Sequence, residues 1–72
     1  MKVKVANNLY ELTVKEYKGL LQIASEQVKF GIFAVEKNGY AELCRHECRS
    51  MTELKTLKRG YRKQGFKVYS NA

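Results

Sequence analysis

The dipeptide Asn38-Gly39 stands between two runs rich in apolar residues, Val28 to Val35 (VKFGIFAV) and Tyr40 to His46 (YAELCRH). A two-residue hairpin turn of type I′ needs positive φ at both central positions, and Asn followed by Gly meets that need at low steric cost. The pair predicts a β-hairpin, and the turn sets its register: Lys37 faces Tyr40, Val35 faces Glu42, Phe33 faces Cys44 and Gly31 faces His46. Strand alternation then puts Phe30, Ile32, Ala34, Ala41 and Leu43 on one side, and Phe33, Val35, Tyr40, Cys44 and His46 on the other.

Shorter signals flank this hairpin. Lys2 to Val5 alternates polar and apolar residues, and Leu9 to Leu12 resumes after the turn-forming Ala6-Asn7-Asn8, which reads as a first hairpin or one bent strand. Thr13-Val14-Lys15-Glu16 fits a capping box that opens a helix from about Val14 to about Glu26, with Val14, Tyr17, Leu20, Leu21 and Ala24 on its buried face. Gly19 weakens that helix modestly. Ser50-Met51-Thr52-Glu53 repeats the capping pattern and starts a second helix running to about Gln64, whose core stripe is Met51, Leu54, Leu57 and Tyr61. Gly65 ends it, and Phe66 to Tyr69 reads as a last strand with Phe66 and Val68 inward.

The order β(β)-α-β-β-α-β describes an α+β fold. Its economical packing is a small two-layer sandwich, a mostly antiparallel sheet with both helices on one face. No proline, linker or internal repeat interrupts the 72 residues, so one domain spanning residues 1–72 is expected. A chain of this length buries only about 60% of the surface its unfolded form exposes, which leaves little room for an enclosed active site. Apolar residues make up 44% and charged residues 29%, the balance of a globular chain and not of a disordered one.

The formal charge is +7, and it is unevenly spread. Residues 1 to 44 contribute +1 and residues 45 to 72 contribute +6, and all four arginines lie in the second part. Such asymmetry suits a nucleic acid, an anionic membrane or an acidic protein as partner. On a wheel of about 100° per residue, Lys55, Lys58, Arg59, Arg62 and Lys63 gather on one flank of the second helix's apolar stripe. Glu53, Gly60 and Gln64 lie on the other. A solvated helix face accounts for scattered cations, whereas this one-sidedness favours a phosphate-bearing polyanion. With Arg45 and Arg49 at the helix entrance and Lys67 beyond its end, these residues form the candidate nucleic-acid site.

A sheet covered on one face would present Phe33, Val35, Tyr40 and Cys44 on the other, with Lys2, Lys4 and Lys67 nearby. Phe33, Tyr40 and Tyr69 are therefore candidate stacking residues for bases, or parts of a dimer interface hiding the same apolar surface. No ribonucleoprotein aromatic consensus, zinc-finger spacing or GXXG loop accompanies them.

Cys44-Arg45-His46-Glu47-Cys48 is the segment with metal or thiol chemistry to weigh. On a strand, Cys44, His46 and Cys48 project to one side about 6–7 Å apart, too far to converge on one zinc without a bend, and the chain has no other histidine or cysteine. Arg45, Arg49 and His46 could lower a thiol pKa there, but no orienting Asn or Asp is placed. There is no paired-carboxylate arrangement and no GxxxxGK[ST] loop, so neither an enzyme nor a cofactor or metal site is expected. Met1 to Asn8 lacks the apolar segment of a secretory signal, and no run approaches a membrane span. A basic amphipathic helix can lie on anionic lipid, but here the short apolar stripe is needed for the core.

The resulting expectation is a small, non-catalytic, cytoplasmic module that binds DNA or RNA through its basic C-terminal helix. Its size and charge would suit an accessory protein of a phage or mobile element. The alternative is a protein-interaction module: a homodimer, or an inhibitor or adaptor docking on an acidic partner through the same surface.

Overall fold

The computed structural model describes residues 1–71. Two short strands, β1 (Lys2–Val5) and β2 (Asn8–Glu11), precede helix α1 (Val14–Gln27). The hairpin β3 (Gly31–Lys37) and β4 (Tyr40–Glu47) follows, then helix α2 (Met51–Lys63) and the last strand β5 (Lys67–Asn71). This is the expected α+β order. The five strands form one sheet in the order β2-β1-β4-β3-β5. Its pairings are antiparallel except that of β1 with β4, which is parallel.

Local chemistry explains why the elements start where they do. Thr13 Oγ1 accepts from the Glu16 N–H at 3.1 Å, and Glu16 Oε1 accepts from the Thr13 N–H at 2.9 Å, a reciprocal capping box. At α2, Ser50 Oγ accepts from the Glu53 N–H, but the Glu53 carboxylate reaches one residue further back, to the Arg49 N–H at 3.1 Å. The C-terminus of α1 has neither glycine nor a basic residue in its last turn. Its free carbonyls are served from a distance: the Asn71 side-chain amide donates to Ser25 O and Val28 O at 2.7 and 2.8 Å. The hairpin turn is as expected, with φ +50° at Asn38 and +76° at Gly39.

The helices lie on opposite faces of the sheet, which corrects the two-layer packing to three layers. Tyr17 of α1 packs with Val3 and Ala41, and Ala24 packs with Phe33 and Ala34. On the other side Leu54 of α2 packs with Ile32 and Val35, bordered by Leu57, Tyr61, Phe66 and Val68. The reason lies in the strand order. The crossovers β2-α1-β3 and β4-α2-β5 advance the same way across the sheet from oppositely directed strands. Right-handed connections of that kind must pass over opposite faces.

A β-bulge opposite Phe33, where Cys44 and Arg45 of β4 together face that one residue of β3, corrects the hairpin register in its outer half. Lys37 pairs with Tyr40 and Val35 with Glu42 as expected, but beyond the irregularity Ile32 pairs with His46 and Gly31 with Glu47. Phe33 and Ala34 consequently both enter the cluster under α1, while Ile32 and Val35 both enter the one under α2. Strand β3 begins at Gly31 instead of Val28, and β5 begins at Lys67 and continues to Asn71. Two residues assigned to core stripes are outside the core: Val14 is 60% and Met51 46% exposed. Each is the first residue of its helix.

Gly31 is fixed by close approach. Its φ is +155°, and a Cβ there would lie 2.9 Å from the His46 carbonyl carbon and 3.1 Å from Glu47 Cα, both rigid backbone of β4. Gly19 has open space around it, inside a helix. Gly31→Ala should therefore cost about 3 kcal/mol through strain and overpacking. Gly19→Ala should instead stabilise the fold by about 0.5–1 kcal/mol. Urea denaturation of both variants checks the opposite signs. In the same assay, Thr13→Ala should cost about 1 kcal/mol through loss of the cap.

Candidate nucleic-acid interface

Helix α2 is attached to the sheet by one row of side chains. Leu54 is fully buried, and Leu57 and Tyr61 one and two turns on are half-buried beside it. The remaining surface of the helix faces outward. Lys55, Lys58, Arg59, Arg62 and Lys63 together line an open depression of about 570 Å³. All five lining residues belong to this single helix, so the depression is fenced by long flexible side chains and has no second wall. The cations stand at three- and four-residue spacing, where helix neighbours are about 5–6 Å apart at Cβ.

Among the described residues one ion pair is formed, between the Met1 ammonium and Glu11 at 2.9 Å. No carboxylate among the described residues forms an ion pair with a cation of α2. Glu53, the acid on this helix, accepts the Arg49 N–H and guards the N-terminus. Glu36 lies on the opposite face, where Oε2 accepts from the Tyr69 hydroxyl at 2.9 Å and the Tyr17 hydroxyl at 3.2 Å. Burial raises the Tyr17 pKa strongly, and the Glu36 carboxylate adds to it, so Tyr17 remains a donor.

Of the eight basic residues assigned to the site, the structure brings together five. Arg49 precedes the N-terminus of α2, next to Ser50, the N-cap. Arg45 lines a separate groove on the α1 side, with Val5, Leu20, Ile23 and Leu43. Lys67 is also turned away: its Nζ lies 5.0 Å from the Tyr69 ring centroid, and the Tyr69 side chain, through its hydroxyl, holds the lysine above its ordinary value. Lys37, not anticipated, meets the end of α2 by donating to Gln64 O at 2.7 Å, with the Phe66 ring 5.4 Å from Nζ. Its place at the hairpin turn is legible in the sequence, but its proximity to Gly65 depends on the packing of α2.

The aromatic platform expected on an open sheet face is not formed, because that face is occupied. Phe33 is 8% and Val35 4% exposed, under α1 and α2 respectively. Tyr69 packs against Phe33 at 6.2 Å between ring centroids, and Tyr61 meets Phe66 edge-on at 5.9 Å. Tyr40 is half-buried at the start of β4.

Cys44 and Cys48 are free thiols. Cys44 Sγ lies 3.8 Å from Ile32 O and Cys48 Sγ 3.8 Å from His46 O. Among the described residues no group of three or more His, Cys, Asp or Glu side chains converges as metal ligands. The thiol pKa values go up instead of down: burial leads at both, helped by Glu42 at Cys44 and by Glu53 and Glu47 at Cys48. Neighbouring arginines do not activate them. No family model matches the chain, and no curated protein or solved structure is significantly similar to it. No helix among the described residues is long and apolar enough to cross a membrane.

A raised thiol pKa means less thiolate at a given pH than in an unstructured peptide. Iodoacetamide labelling of the native protein should accordingly rise through an alkaline midpoint above about 8.5, the free-cysteine value, at both positions. Unfolding in urea should bring both midpoints back to it.

Proposed function

We propose that this protein is a small non-catalytic module that binds nucleic acid on the outward face of α2. The observation that carries the reading is the gathering of Lys55, Lys58, Arg59, Arg62 and Lys63 around one open depression, with no ion pair to any of them among the described residues. Ammonium and guanidinium groups so placed make charge-assisted hydrogen bonds to phosphate oxygens, and arginine does so as a two-pronged fork. Binding releases the counterions condensed on the polymer, which supplies affinity without any sequence information. Two unpaired thiols support a reducing, cytoplasmic setting, and the compactness and basicity suit an accessory protein of a phage or mobile element.

A protein-interaction role is the second reading. The observation in its favour is the apolar groove of about 350 Å³ between α1 and the β1–β4 pair, where Ile23 remains 54% exposed. An acidic protein docking on α2 belongs to the same reading.

Salt-titrated fluorescence anisotropy with labelled DNA and RNA separates the two. For three to five phosphate contacts the affinity should fall roughly 40- to 500-fold between 50 and 200 mM salt. Arg59→Ala with Arg62→Ala should reduce the slope of log K against log salt by about two. Weak, salt-insensitive association with both polymers is the result expected of a protein adaptor and contradicts the nucleic-acid reading.

A further inference from the structure

Resting on that reading, we propose that the polyanion is a duplex, gripped along one phosphate backbone without base readout. Four features of α2 lead there. First, among the described residues α2 is the only helix on its face of the sheet, so it stands there as a ridge. A ridge about 10–12 Å across fits against a duplex, whereas a single strand is held in a channel or on a flat stacking surface.

Second, the charged arc is narrow and one-sided. At 100° per residue the cations, from Lys58 through Arg62, Lys55 and Arg59 to Lys63, span about 140° of the wheel. The opposite flank carries Thr56, Gly60 and Gln64, which line a separate shallow surface with Leu57 and Tyr61. The Thr56 hydroxyl is committed to Thr52 O at 2.9 Å. A helix seated symmetrically in a groove would need cations on both flanks to meet both walls; α2 is equipped for one.

Third, the spacing matches a phosphate row. Lys55 to Lys63 spans eight residues, about 12 Å of helix axis. One strand of a B-form duplex places a phosphate every 3.4 Å of axis, so this length covers the axial rise of about three or four nucleotides.

Fourth, among the described residues no aromatic side chain lines the depression formed by the cations. Tyr61 and Phe66 are engaged with each other, Phe33 is buried, and Tyr69 is held by Glu36 on the far face. The half-exposed Tyr10 belongs to β2, at the sheet edge opposite β5. Base stacking supplies much of the affinity of single-strand binders, and α2 has no means to provide it.

The test compares a mixed-sequence 20-bp DNA duplex, the RNA duplex of the same sequence, and each strand alone, in one buffer at fixed salt. At least about tenfold tighter binding to one or both duplexes than to their strands is expected, since the charge density that α2 reads is higher there. Affinities for AT-rich and GC-rich duplexes should agree within about twofold, as backbone contacts carry no sequence information. Lys55→Ala with Arg62→Ala should weaken duplex binding at least about tenfold, while Thr56→Ala with Gln64→Ala on the uncharged flank leaves it unchanged. Equal or tighter binding to single strands, strong base preference, or loss of duplex binding in the Thr56 and Gln64 variant overturns the inference and leaves the wider reading standing. Absence of binding to every polymer overturns both.

Discussion

The rest of the structure depends on two crossovers that advance in the same direction from strands pointing opposite ways. Because such connections keep a right hand, α1 and α2 are forced to different faces of the sheet. Strand β3 is then covered twice, and Gly31 to Val35 are all buried. That is why its sequence is a nearly unbroken apolar run and not a clean alternation, a pattern usual in strands sandwiched between layers. The bulge at Phe33 serves the same end, since it turns two neighbouring residues toward α1 and keeps Ile32 and Val35 toward α2.

Having a face to itself frees α2 from most packing duties. Leu54, with Leu57 and Tyr61, is enough to hold it against Ile32 and Val35, and Ser50 caps its start. The remaining positions carry cations that repel one another at Lys55 and Arg59, Lys58 and Arg62, and Arg59 and Lys63, each pair one turn apart. Like charges at that spacing destabilise a helix by a few tenths of a kcal/mol per pair. Arg62 and Lys63 recover part of this by facing the negative end of the helix dipole. A polyanion laid on the surface relieves the remainder, so the proposed ligand and the helix's own electrostatics are complementary.

Much of this was legible in the sequence because it is local chemistry. Thr13 with Glu16, Ser50 before Glu53, and Asn38 with Gly39 each specify a cap or turn within four residues, and the two helix starts and the hairpin turn appear where read, although β3 begins at Gly31 instead of Val28. The grouping of five cations on α2 follows from helical spacing alone, which is equally local. What escaped was long-range: nothing near Ser25 indicates that Asn71 will cap α1, and nothing near Phe33 announces a bulge. The two-layer expectation failed because an element order does not contain a strand order, and the face on which a helix lies depends on the latter. With that error went the open aromatic platform, and with it Phe33 as a stacking residue. Arg45 and Lys67 look contiguous with the basic run in sequence, yet strand alternation turns both to the α1 side.

The central claim is that the outward surface of α2 is where the ligand sits, and titrating ¹⁵N-labelled protein with a short nucleic-acid duplex, followed by two-dimensional NMR, tests it most directly. The account predicts chemical-shift changes concentrated on the amides and side chains of residues 55 to 63, with Val5, Leu20, Ile23 and Leu43 unaffected. Changes centred on the α1 groove, or a spectrum that does not respond, would contradict it.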